Sequence, residues 1–347
     1  MVKDVSAKKY YAIDVVKFFA SLFIVMIHVS LFSDVSAVSN YVAVELIARL
    51  AVPFFFAASG YFFFTSLKTD ENGKILKEKD NFKVLKKYFV RIFVLYVVWS
   101  VIYMLWAVPM DYGTDLVSAS VDYIITSVIK CSYYHLWYIY ALVFAYPVVY
   151  LLLKKGVKAA ACIASVLYLL KLLLSAYSFV PGITEINDFL GAYPLTVLEN
   201  VFLRAVPLML IGVMSAHYSE CISKRKNLIL LVVSFVCLIA ESAVLYFVAG
   251  TGVAYLFFTV PTVFFFFNLI KQLDLKMNPT VSLYLRNMST LIYCLHALFI
   301  NICDKFIPQI GSTVIRCIIV ILVSVSVSFV IVLFSRKYKI KLLKYLY

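Results

Sequence analysis

Residues 18–32 read FFASLFIVMIHVSLF, a run apolar enough to sit in hydrocarbon that nevertheless carries an imidazole, His28, at its eleventh position. With the residues before it, the segment reaches the ~20 residues a helix needs to cross a bilayer. Working outward, similar runs recur along the whole chain, and 64% of the 347 residues are hydrophobic while only 14% are charged. A water-compatible surface cannot be built from that composition. The chain therefore reads as an all-α polytopic membrane protein, because each backbone N–H and C=O in lipid must be paired within its own segment.

About ten transmembrane helices are expected, near residues 11–32, 41–66, 88–110, 135–153, 159–180, 196–216, 227–248, 253–270, 288–307 and 313–335. Cytoplasmic loops retain Lys and Arg, and a topology with both termini cytoplasmic collects 25 of the 32 basic residues on that side. Only Lys130, Lys305 and Arg316 fall opposite, while Lys17, Arg49, Lys171 and Arg204 lie within spans. The net charge of +14 is mostly this topology signal, so nucleic acid is not an expected partner. A cleaved signal peptide is disfavoured, because the first apolar run is long and Asp14 and Lys17 interrupt its start. Residues 1–347 read as one transmembrane domain with no appended soluble domain. The loops DYGTDLVSASVDY and PGITEINDFLGAY are candidates for short interfacial helices. The seven cysteines are scattered without metal-ligand spacing, so no metal is expected.

The first span has a polar edge. At about 100° per residue, with Asp14 at zero, Lys17 falls near 300°, Ser21 near 340° and His28 near 320°. Such an edge faces a protein interior or a wet cavity, while Phe19 and Phe23 face away. His28 lies about 21 Å along the helix from Asp14, too far to pair with it, whereas Lys17 is within reach. One reading has His28 binding a neighbouring helix; the other makes it a general base for a hydroxyl nucleophile.

Further ionisable residues punctuate later spans. Glu45 and Arg49 are one turn apart and suit an intrahelical pair, either structural or lining a substrate path. Pro53 opens the ladder beyond them, and Ser59-Gly60 permits close helix approach. Eight basic residues lie from Lys68 to Arg91; an anionic lipid surface explains the first of these, whereas Lys86, Lys87 and Arg91 run into the third span and could dock a phosphorylated donor. His135 reads as interfacial, and Ser289, Tyr293 and His296 share one face of the ninth span. In the sixth span Asn200 and Arg204 share an α-helical face, but Glu199 and Arg204, five apart, should not pair. Lys171 and Glu241 need interhelical partners that the sequence does not identify.

Taken in order, IDVVKFFASLFIVMIH, VPFFFAASGYFF, KKYFVRIFVLY, HLWYIYAL and STLIYCLH resemble the motifs of bacterial membrane acyltransferase family 3, integral O-acyltransferases of cell-surface glycans. The resemblance spans some 290 residues. It implies acetyl-CoA or another acyl-CoA as cytoplasmic donor and His28 as the catalytic histidine. It also implies that Lys17 stands at a usual arginine position and Arg91 is the second arginine of an R-x-x-R pair. The first is replaced by Tyr88 with Lys87 alongside, and neither copies a bidentate guanidinium on phosphate. The expected reaction passes an acyl group, acetyl by default, to a hydroxyl of a cell-envelope glycan or lipid-linked sugar at the bacterial plasma membrane. The donor would reach His28 through a wet passage along the first span, with Lys17, Lys87 and Arg91 at its cytoplasmic mouth. Tyr293 or Arg49 would steady the oxyanion, and a separate extracytoplasmic transferase could complete the transfer. Two rivals stand beside it: a transporter of a small molecule such as serine, for which Pro53 and Pro207 hint at paired helix breaks, and a non-catalytic partner in polysaccharide export.

Overall fold

In the computed structural model, residues 10–76, 79–111, 115–180, 182–184, 186, 196–218, 222–249 and 255–347 are described. The fold is all-α, with no strand among these residues and one isolated bridge, Thr69 to Ile75. Among the described residues, eight segments are long and apolar enough to cross a membrane. The helices are α1 (Tyr11–Val29), α2 (Ala51–Thr65), α3 (Lys79–Asp111), α4 (Leu116–Ile129), α5 (Trp137–Leu153), α6 (Val157–Leu173), α7 (Val206–Tyr218), α8 (Lys224–Ala249), α9 (Thr259–Lys271), α10 (Pro279–Phe306) and α11 (Thr313–Lys337). All ten expected spans have a helical counterpart. However, α6 has 17 residues and α9 only 13, and at 1.5 Å per residue the latter covers about 20 Å of a roughly 30 Å hydrocarbon core. Of the two loops singled out, DYGTDLVSASVDY leads into α4, while PGITEINDFLGAY lies almost entirely outside the described residues.

Burial sorts the helices into centre and rim. The windows of α10 and of the segment containing α7 are 61% and 67% buried, against 22% for α8 and 28% for α11, whose Val232, Phe247 and Leu322 face outward as lipid requires. At the centre, α2 and α7 meet backbone to backbone. A Cβ at Gly60 would collide with the Met209 carbonyl, and one at Gly212 with the Ala57 carbonyl. Small residues permit that approach, and dispersion between close backbones then holds the pair without any hydrophobic force from lipid. Beside this pair, α1 packs on α10, and α10 on α11.

Three local features position the site. First, α1 stops at Val29, although the apolar run continues to Phe32, because Ser30 and Phe32 turn left-handed at φ 55° and 73°. His28 consequently sits in the last turn. Second, α10 starts at Pro279, nine residues before the expected position 288, with the Asn278 side chain accepting from the Thr280 N–H at 2.8 Å. Third, two short π-helices, Tyr41–Ile47 and Glu199–Ala205, precede α2 and α7. Each lies just upstream of a proline, Pro53 or Pro207, which cannot donate to the ladder and forces the carbonyls before it to find other geometry.

A candidate active site between two cavities

Three of the four histidines meet. The ring centroid of His28 on α1 lies 5.1 Å from that of His296 on α10, and His296 lies 5.1 Å from His135, which a 3₁₀ turn (Tyr134–Leu136) places at the start of α5. Tyr293, one turn before His296, is 6.0 Å from it and 5.8 Å from His135. The cluster is fixed by backbone carbonyls. His296 Nδ1 donates to the Tyr293 carbonyl at 2.6 Å, with Ile292 O at 3.2 Å. In a neutral ring this leaves Nε2 as a bare lone pair, and that atom is buried without a partner among the described residues. His135 Nε2 donates to Cys294 O at 3.3 Å, and its Nδ1 is likewise unpartnered. Tyr293 donates to the His135 carbonyl, which commits its hydroxyl, and Tyr103 of α3 donates to Cys294 O at 2.7 Å while accepting from the Leu298 N–H at 3.0 Å.

On one side of the seam lies a cavity of about 330 Å³ lined by His28, Arg49, Trp137, Lys171, Arg204 and Tyr255, among others. Its charges are paired. Arg49 grips Glu45 through two hydrogen bonds, the Nη2 one at 2.9 Å, and Lys171 Nζ donates to Glu199 Oε1 at 2.7 Å. Arg204 donates to the same Glu199 oxygen and, at 3.0 Å, to Asn200. The Glu199–Arg204 pair departs from the helical-wheel expectation, and the π-helix is the reason: residues five apart align in an i→i+5 turn, whereas α-geometry separates them by about 140°. The Arg204 guanidinium stands 5.6 Å from the ring centroids of both Trp137 and Tyr255. Lys171 thus finds its partner in Glu199. Glu241 finds three, the Tyr177 hydroxyl at 2.6 Å and the N–H groups of Phe257 and Phe258 at 2.6 and 2.9 Å.

On the other side a cavity of about 370 Å³ brings together Lys17, Arg91 and Arg286, with Tyr88, Ser289, Tyr138 and Tyr293 also lining it. Lys87 is exposed and outside this lining. Tyr88, at the usual arginine position, donates to the Phe62 carbonyl at 2.9 Å and so is tied to α2. Arg286 was not singled out from the sequence, because the expected span began at residue 288. In the longer α10 it lies on the same face as Ser289, Tyr293 and His296, at i, i+3, i+7 and i+10.

The polar edge of α1 does not line one continuous passage. Asp14 is buried and accepts from Ser282 Oγ of α10 at 2.5 Å, and the fully buried Ser21 returns its hydroxyl to Phe18 O of its own helix at 2.6 Å. Lys17 and His28 line separate cavities, and what lies between is the Tyr293–His296–His28 seam. Among the described residues no group of three or more His, Cys, Asp and Glu is arranged to hold a metal ion.

Comparison with known proteins adds two findings. A family model described as an acyltransferase domain, acyltransferase family 3, matches residues 10–333. Among curated proteins, the chain is 25% identical over 343 residues to an amino-acid racemase of Enterococcus faecalis, covering 94% of this chain and 47% of that one. A second amino-acid racemase of the same organism is 29% identical over 189 residues, covering 52% of this chain and 24% of the other. The chain thus spans about half the length, or less, of the curated relatives it matches. No solved structure matches it significantly.

Proposed function

Because the chain belongs to acyltransferase family 3, whose members are membrane acyltransferases, we propose that it carries an acyl group from cytoplasmic acyl-CoA to a hydroxyl of a cell-envelope glycan or lipid-linked sugar. The observation that carries this reading is the seam of Tyr293, His296 and His28 standing between a cavity with three cations, Lys17, Arg91 and Arg286, and a second one lined by His28 and by the paired charges around Glu45 and Glu199. Lys17, Arg91 and Arg286 would hold the phosphates of the donor, with guanidinium groups giving charge-assisted hydrogen bonds. The thioester would extend toward Tyr293. An acceptor hydroxyl in the other cavity would lose its proton to His28, attack the thioester carbonyl, and expel the coenzyme thiolate, which takes up a proton. His296, whose ring lies 5.1 Å from that of His28 and whose Nε2 has no protein partner among the described residues, would accept that proton in turn. Arg49, in the cavity of His28 and held by Glu45, supports the oxyanion.

Ester-linked acyl groups on surface glycans, compared in deletion, complemented and His28→Ala-complemented cells, test the reading. The deletion and the variant should both lose esters; unchanged ester content in the deletion would overturn it for the glycans sampled.

A second reading, carriage of a small amino acid, is favoured by a different observation. Two π-wound segments precede α2 and α7, which pack on each other and carry Pro53 and Pro207 near their starts; a Glu/Arg pair lies at each, Glu199–Arg204 within the π-helix and Glu45–Arg49 reaching into the 3₁₀ turn that follows it. Paired interruptions of this kind mark substrate sites in transporters, and the relatives above are named for amino-acid chemistry. Uptake of labelled serine into proteoliposomes, with Glu199→Gln as the negative control, separates the two.

A further inference from the structure

The cavity of His28 has a charge count that bears on its ligand. Arg49, Lys171 and Arg204 contribute three positive charges, and their partners Glu45 and Glu199 return two, leaving one in excess while the imidazole is neutral. The spare capacity is in donors. Arg204 Nε is buried and has no partner among the described residues, and Lys171 keeps N–H groups beyond the one given to Glu199. A buried guanidinium N–H without a protein partner is a place for an acceptor oxygen. Trp137 and Tyr255, flanking the Arg204 guanidinium, offer flat apolar faces against which a sugar ring can lie.

From this we infer that the His28 cavity selects an acceptor carrying a single negative oxyanion, a carboxylate or phosphodiester, which binds Arg204 and Lys171 while a neighbouring hydroxyl faces His28. This deepens the acyl-transfer reading and rests on it for the role of the hydroxyl. A neutral sugar offers Arg204 Nε only a hydroxyl oxygen, a weaker acceptor than an anion, and leaves the excess charge uncompensated. A dianion would overshoot the balance, and a zwitterion would bring an ammonium to a lining already rich in donors.

The test uses the full-length protein in phosphatidylcholine nanodiscs, titrated with glucuronate, glucose and serine. Glucuronate should bind about tenfold or more tightly than glucose, a margin of one charge-assisted hydrogen bond, and should weaken as salt is raised. Arg204→Gln should abolish the preference and Arg91→Gln should leave it intact; the salt series on the unaltered protein decides the matter even if Arg204→Gln fails to fold. Discs containing phosphatidylglycerol identify the source: loss of glucuronate binding there assigns the site to a lipid-borne phosphodiester, and retention assigns it to a free or polymer-borne anion. Equal binding of glucose and glucuronate, no glucuronate binding at millimolar concentration, tighter binding of serine, or a preference lost in Arg91→Gln rather than Arg204→Gln would each overturn the inference. Coenzyme A titrated into the same discs reports separately on the donor: binding left undiminished by Arg91→Gln would sink the donor assignment while leaving the anion site standing.

Discussion

Substituting Arg286 by glutamine tests the cavity proposed for the donor against the residues the sequence suggested. Arg286 shares that cavity with Lys17 and Arg91, whereas Lys87 is exposed and lies outside its lining. Removing a guanidinium that makes charge-assisted hydrogen bonds to phosphate costs about 1.5–3 kcal/mol, or roughly ten- to 150-fold in affinity. Lys17 and Arg91 remain in the cavity to hold the phosphates when Arg286 is removed, so the lower half of that range is expected. Acyl-CoA titrated against purified protein in nanodiscs should show Arg286→Gln weakening binding about tenfold, Arg91→Gln at least as much, and Lys87→Gln by less than twofold. In a transfer assay the loss should fall on KM for the donor and spare kcat, because the phosphates lie far from the reacting carbonyl and bind equally in ground and transition states. If Lys87→Gln were the more damaging change, or if Arg286→Gln lowered kcat with KM unchanged, the assignment of this cavity to the donor would be wrong.

Other expectations follow from single contacts. Gly212→Ala places a methyl against the Ala57 carbonyl and should destabilise the protein by about 1–3 kcal/mol, read as a lowered thermal midpoint in detergent; an unchanged midpoint would contradict the close contact of α2 with α7. Glu241→Ala strips acceptors from the Tyr177 hydroxyl and two backbone N–H groups and should speed hydrogen exchange at Phe257 and Phe258; unchanged exchange there would contradict the role given to Glu241. In the segment after α1, Asp34 accepts from the Thr313 hydroxyl and, at 3.0 Å, from its N–H, and the hydroxyl bond first of all holds the carboxylate below its ordinary value of 3.8. A depressed carboxylate stabilises the fold fully above its ordinary value and loses that contribution as pH falls through the folded one. The thermal midpoint should therefore drop below about pH 4 in the native protein, with a shallower drop in Asp34→Asn, and parallel curves would refute the clamp.

The membrane class was legible because lipid imposes one rule on the backbone, and unbroken apolar runs such as 18–32 declare it. Pairing within a turn was legible too, as Glu45 with Arg49 and Asn200 with Arg204. The sequence misled where local geometry left the α-helix: nothing in ENVFLRA announces the π-winding that brings Glu199 to Arg204, although Pro207 just beyond is the physical cue. Meetings between helices distant in sequence were closed to it altogether, because a helical wheel gives a direction but no neighbour. His28 and His296 could each be read as a helix-packing group when taken alone, and His135 as an interfacial residue although it is fully buried; only the crossing of α1, α5 and α10 makes them a cluster. Arg286 was lost to a span boundary drawn nine residues late, since Pro279 and Asn278, a helix-start signature, lay in a stretch too polar to count as membrane.

The central claim is that an acyl group passes from the Lys17–Arg91–Arg286 cavity across the Tyr293–His296–His28 seam to an acceptor beyond it. It is tested most directly by supplying labelled acyl-CoA to one face of sealed vesicles, made from cells with native protein or His28→Ala, and quantifying ester-linked label on glycan exposed at the other. The account predicts label on the far face with native protein and background only with His28→Ala, while both bind coenzyme A equally. Undiminished labelling with His28→Ala would contradict it.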